Sequence, residues 1–386
     1  MRGYRNVLVK VLAVLLAGVL AVLQIGETGA QSGQSGSGSL PGNRSMPAPQ
    51  RMFISGHSLT NEPVPSDLAA IAAGFGLQFS WNRQYLEGSS IKQRSRGDAT
   101  GNAPWTGYAR GIDRANQPVD VLAEFRRQDE RYDTLLITEQ HSLLGSLVWN
   151  ETVSHLRSFQ ERFIAHNPNG TTYFFEPWLS LDDKSDPKRW IDYERAAAPV
   201  WRCIVEQMNQ TLAAEDRRDR IVSLPAALAL VHLIELATQG GGVAGITRDS
   251  VRSTVDRLVA DDVHLTRLGN YYIALVTFAL TFRHSAQGAW RPAEITAEQA
   301  NSLQVVANAF AQLPLPAAMP IEACQSYVLR SFMWTYLGYA NRAHLQKEQG
   351  YPGSVYLRIK LAVQWLLLFS SDKPGNPFSK AAYSKR

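Results

Sequence analysis

Apolar and polar positions change rhythm repeatedly along this chain of 386 residues. Residues 52–54 (MFI) make a short apolar run closed by Ser55 and Gly56, the pattern of a brief strand. Positions 66–74 (SDLAAIAAG) then take helical apolar spacing, with Ser66 as cap and Gly74 as stop. The alternation continues with strands over 77–81, 133–138, 172–176 and 220–224, separated by helices over 119–128, 153–166 and 196–214. Strands alternating with helices predict an α/β protein with a parallel sheet covered on both faces. The commonest form is a doubly wound, flavodoxin-like three-layer sandwich, whose ligands sit at the carboxyl ends of the strands. Beyond Gly269 the strand signal fades, and 271–283, 296–313, 321–342 and 355–369 all read as helices. The first of these packs on the sheet. The others form a C-terminal helical extension, or a cap over the site.

The two ends of the chain read differently. A basic start, an apolar run over 11–25 and small residues ending at Ala30 predict a signal peptide over 1–30. The apolar run is shorter than a spanning helix needs, and an uncleaved amino-terminal anchor is the alternative. Only that alternative would bring the protein to a membrane. Both place the body outside the cytoplasm, secreted or periplasmic. Residues 31–50 are nearly all Ser, Gly, Gln, Pro and Asn, a flexible linker. The remaining divisions are an α/β domain over 51–285, the helical extension over 286–370 and a flexible tail over 371–386.

Composition excludes several classes. With 45% hydrophobic and 19% charged residues the chain is neither collagen, coiled coil nor wholesale disorder. The formal charge of +5 comes largely from the two ends: Arg2, Arg5 and Lys10 near the start, and Lys373, Lys380, Lys385 and Arg386 in the tail. No basic stripe is visible in the sequence, which argues against nucleic acid as a partner. Cys203 and Cys324 lack CxxC neighbours, so a structural zinc or redox motif is not expected. Export favours a disulfide between them, two separate buried thiols being the alternative. Asn43, Asn150, Asn169 and Asn209 begin N-x-Ser/Thr triplets, best read as chance.

Two short segments carry candidate chemistry. Gly56-His57-Ser58-Leu59 follows the first strand, where a glycine-permitted turn can expose the Ser58 hydroxyl at the active edge of the sheet. A structural turn serine is the bland reading. Asp261-Asp262-Val263-His264 places a carboxylate three residues before a histidine, so a tight turn can orient the imidazole as a base toward a serine. Asp262 competes with Asp261 as orienter.

The pair, one at each end of the α/β region, resembles the SGNH hydrolase superfamily, also called GDSL esterases, over about 52–282. Gly56 to Leu59 stands for its Gly-Asp-Ser-Leu turn, with His57 in place of the aspartate. Asp261 to His264 stands for its closing Asp-x-x-His, running into Leu265-Thr266-Arg267-Leu268-Gly269 and a helix. The resemblance implies Ser58 as nucleophile, His264 as base and Asp261 as orienter. It also implies an oxyanion hole from the Ser58 amide, a glycine and an asparagine. Gly88 is the candidate glycine, with Gly97 as runner-up. The expected Gly-x-Asn-Asp after the third strand is absent, and Glu139-Gln140-His141-Ser142 stands there. Gln140 or His141 could donate to an oxyanion, whereas an ionised Glu139 could not. Glu176 and Trp178, after the fourth strand, are candidate sugar-binding residues, with core packing as the alternative, an ambiguity Trp81 and Trp105 share. Gly240-Gly241-Gly242 lacks the lysine of a phosphate loop. The implied activity is hydrolysis of an O-acyl ester, with an acetylated glycan as substrate and no metal or cofactor. The alternatives are an O-acetyltransferase, or a carbohydrate-binding protein on a decayed hydrolase domain.

Overall fold

A computed structural model describes residues 50–96, 107–239, 241–315, 318–373 and 375–379. The expected signal peptide, the linker up to 49, Asn43, Gly97, Trp105, Gly240 and the last seven residues lie outside the described residues.

Five strands are present: β1 (Arg51–Gly56), β2 (Ser80–Tyr85), β3 (Thr134–Thr138), β4 (Thr171–Phe175) and β5 (Ile221–Leu224). They form one parallel sheet in the order β2-β1-β3-β4-β5. That is the flavodoxin-like order, whose direction of winding reverses between β1 and β3 and opens a crevice at their carboxyl ends. Every residue of β3 is buried, because helices cover both faces of the central strand. The register aligns Ser55 with Ile137 and Ile137 with Phe174, so β1, β3 and β4 end almost level.

The helices of the α/β region are α1 (Val64–Gly74), α2 (Ile91–Ser95), α3 (Val121–Arg126), α4 (Leu143–Trp149), α5 (Thr152–His166), α6 (Lys188–Ala214), α7 (Ala226–Thr238), α8 (Val251–Val255) and α9 (Arg267–Phe282). Of these, α9 packs on both α1 and α7, α5 packs on α2, α3, α4 and α6, and α6 also packs on α7. Two boundaries differ instructively from the sequence reading. The second strand begins at Ser80 instead of 77, because Leu77 belongs to the turn that closes α1, its N–H donating to Ala72 O at 2.9 Å. Its Arg83 and Gln84, on opposite faces of the strand, are both buried polar residues, which send no apolar signal. Helix α6 begins at Lys188, well before 196, and carries Pro199 inside it.

Helix α10 (Ala297–Gln312) packs on α9. Helices α11 (Ile321–Tyr327) and α12 (Met333–Ala340) pack on α6. The Cys203–Cys324 disulfide joins α6 to α11, with the two Cα atoms 6.0 Å apart. The stretch read as one helix over 321–342 is interrupted by π-helical turns at Val328–Phe332 and Asn341–Leu345. Helix α13 (Gln346–Phe369) completes the extension. From Gln50 onward the described residues belong to one compact unit, so the extension is not a separately folded body. The expectation of a flexible tail fails between 375 and 379: Phe378 is buried, its ring 6.3 Å from that of Phe369. No described helix is long and apolar enough to cross a membrane.

Candidate active site

The turn after β1 is fixed by contacts that only certain residues permit. A Cβ on Gly56 would collide with Thr60 Oγ1, so the chain closes there only with glycine. His57 is buried, and its Nε2–H donates to the Glu139 carbonyl at 2.9 Å while Nδ1 accepts from the Leu59 N–H at 3.4 Å. A carbonyl can only accept, which fixes the tautomer. Burial, with the charges of Arg94, His141 and His264, lowers the His57 pKa to about 3, so this histidine stays neutral and acts as a strut. Ser58 follows at the start of a short 3₁₀ turn, Ser58–Thr60, and is half-buried. Neither its hydroxyl nor its N–H has a hydrogen-bond partner among the described residues.

A tight hairpin presents the second segment. Ala260 N donates to His264 O at 2.8 Å, and Thr266 N donates to Leu258 O at 2.9 Å. Within it, Asp261 Oδ1 accepts from the N–H groups of Val263 and His264, both at 2.7 Å, while Oδ2 lies 2.7 Å from His264 Nδ1. Burial opposes charge on Asp261, but those two amides and the imidazole outweigh it and hold the pKa at about 2. Asp262 instead engages through its backbone, its carbonyl accepting from Leu181 N at 2.6 Å. The carboxylate on His264 therefore belongs to Asp261. Thr266 caps α9, and a Cβ on Gly269 would collide with the Leu258 carbonyl, so glycine lets the helix start flush against the hairpin.

The segment after β4 holds this hairpin. Trp178 Nε1 donates to Val263 O at 2.8 Å, and Lys184 Nζ reaches Val259 O at 2.8 Å and Ala260 O at 3.1 Å. Trp178 is 2% exposed and Glu176 is wholly buried, its Oε1 accepting from Ser223 Oγ. Neither has surface with which to meet a sugar, so the expectation of substrate contact for Glu176 and Trp178 is corrected to a supporting role. Burial pushes the Glu176 pKa up to about 7. Trp81 is likewise core.

The candidate oxyanion donors sit on three loops joined by a buried polar circuit. Arg94, at the end of α2, donates from Nε to Ser55 Oγ at 3.0 Å and from Nη1 to Ser89 O and Oγ at 2.8 and 2.7 Å. Its Nη2 donates to Thr138 O. Glu139 accepts from the N–H groups of Gln140 at 2.7 Å and Ile91 at 3.1 Å, and from Thr152 Oγ1 at 2.8 Å. Both are fully buried. Burial pulls the Arg94 pKa down to about 10, against the Glu139 charge, and pushes the Glu139 carboxyl up, against Arg94. The circuit spans Ser55, three residues before Ser58, Ser89 beside Gly88, and Thr138 and Glu139 just before Gln140. Gly88 is exposed at the turn that Ser89 N closes onto Leu86 O. The Gly88 N–H and Gln140 Nε2 donate to no described group. His141 lies with its ring 6.4 Å from that of His57. Burial and the charges of His344 and His264 lower its pKa to about 4.

The helical extension reaches this edge. Ser142 Oγ and Tyr336 Oη are 2.8 Å apart, and Tyr339 Oη accepts from Asp182 N at 3.1 Å. His344, on the second π-helical turn, feels the charge of Asp262 and acts on His141. Arg94, Glu139, Lys184 and His344 were not singled out from sequence as site residues. A buried charge has no signature in one chain, because its partners come from other segments. Among the described residues no group of His, Cys, Asp and Glu side chains is arranged to hold a metal ion.

No protein-family model matches this sequence, and no curated protein matches it either. Among solved structures, a DUF4886 family protein from Bacteroides uniformis is similar with a TM-score of 0.47 and 13% identity, over 70% of this chain and 98% of that one. The periplasmic domain of a lipopolysaccharide acetyltransferase from Salmonella ser. Paratyphi A has a TM-score of 0.32 and 15% identity, over 58% of this chain and 80% of that one. At these scores neither likeness bears on what the chain does.

Proposed function

We propose that this chain is an exported serine esterase of the SGNH type, hydrolysing O-acyl esters, of which acetyl esters on carbohydrate are the leading class. One observation carries the reading. Both carboxylate oxygens of Asp261 are committed to the turn that holds His264, with Oδ2 at 2.7 Å from Nδ1, and the charge of His264 is felt by His57, next to Ser58, and by His141, next to Gln140. That leaves Nε2 free to serve as a base, which is the division of labour a hydroxyl nucleophile needs.

In this mechanism His264 Nε2 takes the Ser58 proton as Oγ attacks the ester carbonyl. The oxyanion of the tetrahedral adduct is held by the N–H groups of Ser58 and Gly88 and by the Gln140 side chain, with His141 as the other candidate donor. His264 returns the proton to the departing alcohol, then activates water, which releases the acid and restores Ser58. The Ser58–His264 hydrogen bond is not formed here. Catalytic bonds of this kind commonly tighten only once substrate is bound. The side chain of His264 is 46% exposed, which gives water ready access and favours hydrolysis over transfer to a sugar hydroxyl. The disulfide supports placement in an oxidising, secreted or periplasmic compartment.

Covalent labelling with a fluorophosphonate is the test. Wild-type protein labels and Ser58→Ala does not. Asp261→Asn remains folded and loses roughly 10⁴-fold in kcat on a small acetyl ester. Folded wild-type protein that neither labels nor releases acetate from acetylated sugars refutes the esterase and leaves the carbohydrate-binding alternative.

A further inference from the structure

Away from the serine and histidine turns, α3 and α5 enclose a basic groove with the end of α2. One cavity of about 390 Å³ is lined by Arg96, Arg162, His155, Ser95 and Tyr108, among others. A second of about 310 Å³ is lined by Arg126, Arg162 and His166, with Glu161 as its acid. The two share Leu122, Ser158 and Arg162, so they form one trough with cationic groups toward both ends.

Among the described residues the charges lining the trough are unbalanced. Glu161 is already engaged by Arg157 at 2.7 Å and by Arg217 at 3.7 Å. Arg96 and Arg126 have no ion pair with any described carboxylate, and Arg162 lies over the Tyr108 ring at 5.1 Å. His155 lines the same trough and is 8% exposed; its Nδ1 is 3.1 Å from Ser95 Oγ, which also donates to Lys92 O at 3.5 Å. Three arginines drawn from separate segments suit an oxyanion that guanidinium groups can chelate.

We propose that this trough binds a small ligand carrying two anionic groups, phosphate or carboxylate, one between Arg96 and Arg162 and the other between Arg162 and Arg126. The site is independent of the proposed esterase chemistry, and its test does not read that activity.

Isothermal titration of the full chain with pyrophosphate and with inorganic phosphate, at low salt, provides the test. Pyrophosphate binds, more tightly than phosphate. Arg162→Ala weakens it by about tenfold or more, the scale of one charge-assisted bond, and Arg96→Ala does the same. Both arginines are exposed, so neither substitution threatens the fold. Absence of binding at millimolar pyrophosphate overturns the proposal. So does unchanged affinity in both variants, or an equal response to a short DNA duplex, which would mark nonspecific charge attraction.

Discussion

Trp178 Nε1 donates to the Val263 carbonyl at 2.8 Å, from beneath the turn that presents His264. An indole 2% exposed thus props the residue next to the proposed base. Trp178→Phe keeps most of the ring and removes the donor, leaving the carbonyl unpaired at a cost of about 1–3 kcal/mol. The melting temperature falls and kcat falls with it, while KM for a small ester stays within about twofold, since no substrate contact is lost. A selective rise in KM would restore Trp178 to the substrate surface.

Arg94 joins the three loops that carry the proposed oxyanion donors. Arg94→Lys retains the charge but cannot reach Ser55, Ser89 and Thr138 together. Misplacing donors by about 1 Å costs on the order of 10²-fold in kcat. Binding of a boronic acid, whose serine adduct is tetrahedral and anionic, weakens in parallel. A folded Arg94→Lys protein with wild-type kcat would reduce the circuit to ordinary core.

Glu176 gives stability a distinct pH dependence. Its pKa is about 7 in the fold against 4.5 as an ordinary side chain, because burial disfavours the charge. Below about pH 4.5 both states are protonated and its contribution is fully present. As pH rises from there to about 7 the unfolded chain ionises first, and stability declines by about 3 kcal/mol, then levels off. Glu176→Gln abolishes that component, so the variant gains on wild type between pH 5 and pH 8. Chemical denaturation at the two pH values measures the difference, and parallel curves would contradict it.

The disulfide closes a loop across 121 positions of sequence. Chain entropy assigns such a closure about 5 kcal/mol, as an upper figure. Cys203→Ser with Cys324→Ser, or a reductant, lowers the melting temperature of wild type, and reductant has no further effect on the double variant.

The sequence by itself determined the alternation of strand and helix, and with it the parallel sheet. It also set Ser58 at the end of β1 and Asp261 three residues before His264 in a turn that pairs them. These are local matters: apolar periodicity, a glycine where Thr60 leaves no room for a Cβ, and a carboxylate able to reach the amides of its own turn. The tertiary structure decided what lies between distant segments. It buried Glu176 and Trp178, which look from sequence like a sugar platform, with the hairpin at 259–265 taking the indole N–H and Ser223 one carboxylate oxygen. It made β2 from a polar segment by giving Arg83 and Gln84 partners inside. It assembled Arg94 with Glu139, and Arg96 with Arg126 and Arg162, where one-dimensional charge counting finds no basic stripe. Burial energies and charge pairings depend on neighbours in space, and a single chain read in order does not contain them.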